Sequence, residues 1–412
     1  MAAGSFLATR GTLGSDYVTW SAVATAWHES LWVSGPLTAG AAAALGATYF
    51  PRASPVAAPI RPRVGAGLFL IHGLALAVWL CLGHAVGLVP IHVAAARQAT
   101  AGALALPDVV VGLAGVTTLA LLGFCLGAAV RHWVIAPAVA VVAFGVMELT
   151  NEPLFRPIGL MLPVRQWASS PRFEMNPPTA VFAVVAAIGI CLFAASVAAW
   201  AGSRGSVRRQ RLPLLTWLAV VGALAVIAFA WRPELVVVDH PVRRLCQQVD
   251  GTQVCLHAAN QPAMASTVDV VIRLRAAGLS PILHQVTDLA ISDHTIPRPG
   301  EALIRLDPSP RDRSSYAADI PEQVAAGVSE SITLGGCLRP DVTLEDHDIA
   351  TVLHNRVLQL AGFHELTNRF GPSEPPPGAQ ELTIMNAEQV ITFVQINEES
   401  IFSCRLSQAS RG

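Results

Sequence analysis

Over its first 231 residues the chain runs through long stretches without charge, separated by short breaks that carry arginine. Six apolar runs stand out, at approximately Leu31–Phe50, Val64–Val89, Val109–Val130, Trp133–Leu149, Ala180–Ala201 and Leu212–Trp231. They are 17–26 residues long. At about 1.5 Å per residue that length crosses a hydrocarbon layer of about 30 Å. The fourth run is the shortest. The last is preceded by Arg208, Arg209 and Arg211 and closes on Trp231-Arg232, a basic flank on one side and an interfacial aromatic on the other. Residues 1–30 lack the basic stretch followed by a compact apolar core that marks a secretory leader.

Beyond Trp231 the pattern shortens and becomes polar. Asp250-Gly251 is a strong two-residue hairpin turn. Counting outward from it pairs Val249 with Thr252, Gln248 with Gln253, Gln247 with Val254 and Cys246 with Cys255. The cysteine pair falls on a non-hydrogen-bonded rung, where Cα atoms approach to ~4.5 Å, at the short end of what a disulfide accepts. Pro262–Ala277 reads as an amphipathic helix with Val268, Val271 and Ile272 on one face. Short strands are expected at Ile282–Val286 and Ala302–Leu306, and a short helix at Pro321–Val328. Asp346–Leu360 reads as a helix begun by an acidic cap. Residues 371–379 form a surface loop, and Asn386 with Gln389 three residues on starts a last helix as a capping box. Cys337 and Cys404 are left to pair with each other. The expected architecture is an α-helical polytopic membrane bundle of about six spans, residues 1–231, followed by a small α+β extracytoplasmic domain, residues 232–412.

Charge gives this arrangement a direction. Loops 51–63, 131–132 and 202–211 hold eight arginines and no acid (Arg52, Arg61, Arg63, Arg131, Arg204, Arg208, Arg209, Arg211). The alternate segments 1–30, 90–107 and 150–178 hold five arginines in 77 residues, together with four acids, Asp16, Glu29, Glu152 and Glu174. The dense set is expected in the cytoplasm, which leaves both termini and the C-terminal domain outside a cell membrane crossed several times. Residues 1–231 carry 13 arginines against 6 acids; residues 232–412 carry 14 against 22. The net charge of −1 thus hides two oppositely charged halves. The 53% hydrophobic and 13% charged composition is that of a membrane protein with an appended domain. Four of the seven cysteines lie in the polar half, as two disulfides in an oxidising compartment require, and Cys81, Cys125 and Cys191 lie in apolar runs as packing residues.

There is no lysine at all. A P-loop needs one on its phosphates, so any ATP-driven work belongs to another polypeptide. Gly123 and Gly127 form a GxxxG pair that lets helix backbones approach. Ordinary packing within the bundle is the plain reading of that pair, and a homodimer the sharper one. His72, His84, Asp108 and Glu148 read as interfacial or locally paired groups rather than a proton relay. Loop 150–178 reads as an interfacial or re-entrant segment, or a simple outer cap. His364-Glu365-Leu366-Thr367-Asn368 falls one ligand short of the HExxH zinc motif, and His347, His354, Asp346 and Asp348 lie close by in sequence. No catalytic residue, metal site, cofactor or nucleic-acid partner is expected.

The segment Leu31–Arg63, with its Gly-Pro-Leu-Thr-Ala-Gly-Ala-Ala-Ala-Ala core, resembles a set of actinobacterial ABC-transporter permease-like integral membrane proteins with a C-terminal extracytoplasmic domain. Val254–Ala258 is similar to their Cys-x-His-Pro element, with Ala258 at the proline position, and the helix ending in Cys404 is similar too. The resemblance implies the membrane subunit of a transport or export system, meeting a separate cytoplasmic ATPase through loops 51–63 and 202–211. It assigns no catalytic residue. A second reading is a membrane-anchored extracytoplasmic binding or sensor domain, and a third an extracytoplasmic zinc metallohydrolase.

Overall fold

The structure, a computed structural model, describes residues 1–49, 62–150, 152–162, 171–202, 207–231, 234, 236–238, 242–307, 319–338, 342–367, 375–376 and 379–409. The arginine-bearing loops at 51–61 and 203–206, residue 368 and most of the 371–379 loop lie outside them. The chain divides into two compact units. One comprises Met1–Leu13, Trp20–Arg97 and Ala103–Val238; the other comprises Gly14–Thr19, Gln98–Gly102 and Asp239–Gly412.

The first unit is helical: α1 (Ala2–Leu13), α2 (Trp20–Glu29), α3 (Leu31–Tyr49), α4 (Pro62–Gln98), α5 (Leu106–Val130), α6 (Ile135–Leu149), α7 (Arg156–Met161), α8 (Pro177–Gly202) and α9 (Val207–Trp231). Among the described residues three stretches are long and apolar enough to cross a membrane: Gly67–Gln98, Leu106–Val130 and Pro177–Trp200. Ile135–Leu149 and Leu215–Trp231 are shorter apolar helices. Length alone would admit α3, at 19 residues, but Ser34, Gly35, Pro36, Thr38 and Gly40 dilute its apolar character. Residues 20–49 are helical on both sides of Ser30, whose amide donates to the Ala26 carbonyl while its own carbonyl accepts from Ser34. Loop 150–178 contains α7, whose Leu160 and Met161 pack with Phe182, Ile190 and Ala228 of α8 and α9. It also contains β1 (Phe173–Met175), antiparallel to β2 (Val236–Val238).

Many of the helical unit's buried residues are small, alongside larger ones such as Leu31, Phe69 and Phe124, and many large apolar side chains face outward. Ala39, Ala42, Ala43, Ala128, Ala194 and Ala198 are buried, while Ile71, Val78, Trp79, Val141, Val142 and Val181 are exposed. Small side chains inside let backbones close up, and an apolar exterior suits lipid rather than water. A side-chain carbon at Gly123 would strike the Ala39 carbonyl, and one at Gly127 the Ala43 carbonyl. The GxxxG face of α5 is therefore filled by α3 of the same chain, and a homodimer built on that face would have to displace α3.

The second unit is mixed. A four-stranded sheet has the order β3 (Arg244–Val249), β4 (Thr252–His257), β5 (Gln285–Asp288), β6 (Glu301–Ile304). β3 and β4 are antiparallel, and the β4–β5 and β5–β6 pairs are parallel. Asp250 (φ 46°) and Gly251 (φ 86°) make the tight turn between β3 and β4, which sets Val249 opposite Thr252 and Cys246 opposite Cys255. The helices are α10 (Met264–Leu274), α11 (Ile320–Thr333), α12 (Leu344–Leu360), α13 (His364–Thr367), α14 (Ala387–Ile396), α15 (Glu398–Ser403) and α16 (Leu406–Ala409). Val254, Leu256, Val286, Ala302 and Ile304 on one sheet face join Val270, Leu274, Val324, Val328, Leu353 and Val357 from α10–α12 in a single core. The buried residues of α10 are Thr267, Val270, Val271 and Leu274, while Ile272 is 41% exposed, so its inner face is turned from the Val268–Val271–Ile272 stripe that the sequence suggested. Thr343, rather than an acidic residue, caps α12. The Asn386–Gln389 capping box opens α14.

Candidate functional site

Strand alternation sorts the sheet of the mixed unit into two faces. Val254, Leu256, Val286, Ala302 and Ile304 turn toward the helices. Arg244, Cys246 and Gln248 of β3, Gln253 and Cys255 of β4, Gln285 and Thr287 of β5, and Glu301 of β6 share the other. That second face is polar and partly open: Cys246, Gln248 and Gln253 are exposed and Gln285 half-buried. A layer of helices on one side and a hydrophilic surface on the other is the arrangement in which a sheet can present a site.

Residues 289–300 join the parallel strands β5 and β6 without a helix. This loop is pinned at both ends. The Leu289 amide donates to the Ile304 carbonyl (2.8 Å), and the His284 and Gln285 amides both donate to the Gly300 carbonyl (2.9 and 3.0 Å). Loop and strands enclose a pocket of about 310 Å³ whose walls include Arg244, His284, Gln285, Thr287, His294, Arg298 and Glu301.

A chain of hydrogen bonds runs through this pocket. Gln285 Nε2 donates to Thr287 Oγ1 (3.0 Å), and Thr287 Oγ1 donates to Glu301 Oε1 (3.0 Å). The other carboxylate oxygen, Glu301 Oε2, lies 2.7 Å from His294 Nε2. Glu301 is only 7% exposed, so a carboxylate has been taken out of water and given a partner for each oxygen. The contact to Nε2 places a proton there, fixes the imidazole plane and leaves Nδ1 to other partners. Ser292 Oγ donates to the His294 carbonyl (2.7 Å) and accepts from its amide (3.2 Å), so the hydroxyl steadies the backbone instead of serving as a nucleophile. The group is suited to holding a ligand in a defined orientation.

A second polar cluster lies at the C-terminal ends of β4 and β5, where open parallel sheets commonly bind ligands. Here the position is filled by the protein. Tyr17 Oη donates to Asn260 Oδ1 (2.9 Å), and Asn260 Nδ2 donates to Asp288 Oδ2 (2.6 Å). Asp288 also accepts from the amides of His257 (3.2 Å) and Ala290 (2.9 Å). Burial raises the Asp288 pKa above the ordinary carboxylate range against the pull of these bonds. Burial, and then the nearby Asp288 carboxylate, raise that of Tyr17. The cluster is closed and internally satisfied.

A third set lies in the helical unit. His28 Nε2 is 3.3 Å from Asp108 Oδ1, with both side chains buried. His84, fully buried, has Nδ1 2.9 Å from Ser5 Oγ, and the Trp27 ring packs edge-on to His84 and His92. The Trp27 indole N–H donates to His92 Nε2 (3.3 Å). Sequence reading took His84 and Asp108 one at a time and passed over His28 and His92. No periodicity links side chains that come from α2, α4 and α5.

Both cysteine pairs of the polar half lie at disulfide distance. The Cα atoms of Cys246 and Cys255 are 4.1 Å apart, and those of Cys337 and Cys404 5.1 Å apart. Cys81, Cys125 and Cys191 are free. The zinc-like elements do not converge. His364 and Glu365 are exposed on the one-turn α13, His347 is exposed and His354 is buried. Among the described residues no three His, Cys, Asp or Glu side chains come together as metal ligands. Glu301 and His294 were not singled out from the sequence. The signal available was a lone acid at the head of the apolar strand Ala302–Leu306, and the loop that brings His294 back to it carries no pattern. No protein-family model matches the chain, and neither the curated proteins nor the solved structures contain a match.

Proposed function

We propose that this is a multi-span membrane protein whose mixed unit is an extracytoplasmic ligand-binding domain. The observation that carries the reading is the pocket under loop 289–300, with its buried, fully partnered Glu301 and the His294 ring that Glu301 orients. A carboxylate buried at the floor of an open pocket costs stability unless partnered, and groups held this way are typical of binding sites. In this reading six helical segments cross the bilayer, the arginine-rich loops face the cytoplasm, and both termini lie outside. Two cysteine pairs at disulfide distance in the mixed unit fit an oxidising compartment.

The test is topological. Glu388 is exposed on α14. Glu388→Cys is expected to react with a membrane-impermeant maleimide in intact cells. Reaction only after permeabilisation overturns the reading.

A second reading, in which the chain is the permease-like subunit of an ABC-type system with a separate ATPase, is favoured by the buried His28–Asp108 pair, since ionisable groups inside a bundle often mark a transport path. Affinity purification in mild detergent that recovers no ATPase counts against it.

A further inference from the structure

We infer that the pocket beneath loop 289–300 takes a small organic or inorganic dianion, bearing carboxylate or phosphate oxygens, between Arg244 and Arg298. This rests on the binding reading above and names its ligand class. The argument begins with what the pocket's groups already have. Both oxygens of Glu301 are engaged, by Thr287 and His294. The Ser292 hydroxyl is engaged by the His294 backbone. Gln285 is spent on Thr287, and Asp293 has an interaction of its own. Arg244 and Arg298 are different: both line the pocket, both are exposed, and neither guanidinium has an ion-pair or hydrogen-bond partner among the described residues.

Acidic side chains outnumber arginines in this part of the chain, 22 to 14 over residues 232–412. Asp293 and Glu301 also line the concavity but are engaged elsewhere, so the two unpaired guanidiniums are the groups that a ligand would satisfy. Arginine suits the task, because its planar fork grips carboxylate and phosphate oxygens in pairs. The Glu301 carboxylate presents no free oxygen to an anion: one accepts from Thr287 and the other lies 2.7 Å from His294 Nε2. A pocket of about 310 Å³ is of a size for a small molecule rather than a polymer.

The experiment is isothermal titration of the full-length protein in detergent with four probes: succinate, inorganic phosphate, glucose and choline. Succinate or phosphate is expected to bind, and which of them does separates the carboxylate from the phosphate source. Arg244→Ala and Arg298→Ala are each expected to weaken binding at least about tenfold, with unchanged thermal unfolding because neither side chain holds a partner. Arg305→Ala removes the same charge from an exposed residue outside the pocket and is expected to bind as the parent does. Undiminished anion binding by the double variant R244A/R298A overturns the inference, as does an equal loss in Arg305→Ala. Binding of glucose or choline but of neither anion overturns the ligand class and leaves the binding reading standing. If none of the four probes binds, the ligand class also falls, and labelling at Glu388→Cys decides separately whether the unit is extracytoplasmic.

Discussion

His354 is 3% exposed in α12, and burial lowers its pKa to about 4 against the opposing backbone contact with Ser329. In the unfolded chain the imidazole titrates near 6.5. A pKa lower in the folded state means that the unfolded state takes the proton first. Stability contributed by keeping this ring neutral is complete above about pH 6.5 and drains as pH falls toward 4. Between pH 7 and 5 the loss from this one residue is about 2 kcal/mol. Asp288 acts in the opposite sense, since a raised carboxyl pKa adds stability as pH falls. The difference between parent and His354→Gln isolates the histidine. We expect the variant to lose less unfolding temperature between pH 7 and 5 than the parent does, and parallel pH profiles would refute this. At this scale the sequence was only partly readable. His347 and His354 are seven apart and look like one helix face, yet one is exposed and the other lies in the core, because α11 covers only part of that face. Glu301 was illegible for a related reason. Burying its charge is tolerable only because His294 and Thr287 reach it, and both arrive through tertiary structure.

Among the elements, the β3–β4 hairpin could be read residue by residue. Its register follows from the local Asp250-Gly251 turn, and that alone sets Cys246 against Cys255. The parallel strands were harder. Pairing across residues 258–284 and 289–300 is decided by the packed core rather than by any turn, so the expected strands at 282–286 and 302–306 overlap the observed Gln285–Asp288 and Glu301–Ile304 but miss their ends by one to three residues. The same contrast separates the two cysteine pairs energetically. Cys246–Cys255 spans 9 residues and repeats a constraint that the turn already imposes, whereas Cys337–Cys404 spans 67 and ties the end of α11 to the end of α15. By loop entropy the bridges stabilise by roughly 3 and 4 kcal/mol respectively. Cys404 also sits in the left-handed region, φ 52°, at the C-cap of α15, where a non-glycine residue needs support. We therefore expect the C337S/C404S double variant to lower the unfolding temperature of the mixed unit more than C246S/C255S does. Equal shifts, or the reverse order, would count against the argument.

For the molecule as a whole, composition marks a border near residue 231, and the contact pattern divides the chain close to it, at Val238. What composition could not show is that the mixed unit also includes Gly14–Thr19 and Gln98–Gly102. Hydropathy reports whether a segment is polar, not which partner it finds. Tyr17, 4% exposed, belongs to the same core as Val254, Leu256 and Ile304 and hydrogen-bonds Asn260. Val18 donates to Gln98 and Thr100 to the Ala258 carbonyl, so both short segments are held by hydrogen bonds. Tyr17→Ala is expected to destabilise the mixed unit by about 3–5 kcal/mol, and Tyr17→Phe, which strips the Asn260 oxygen of its donor, by about 1–2 kcal/mol. Limited proteolysis of the purified chain, read by cleavage within residues 239–412, measures both; parent-like protection in Tyr17→Ala would sink the idea.

The placement of Tyr17 also orders events during synthesis. The residue precedes its partner Asn260 by 243 positions, so it is made well before the strands and helices that enclose it. A core closed by a contact 243 residues long in sequence cannot finish until the later partner has been made. Loop closure over that distance is slow compared with forming the β3–β4 hairpin. Tyr17 must therefore stay accessible while each apolar helix between it and Asn260 is made, and the mixed unit reaches its final stability only once core residues as far along as Leu406 have been made.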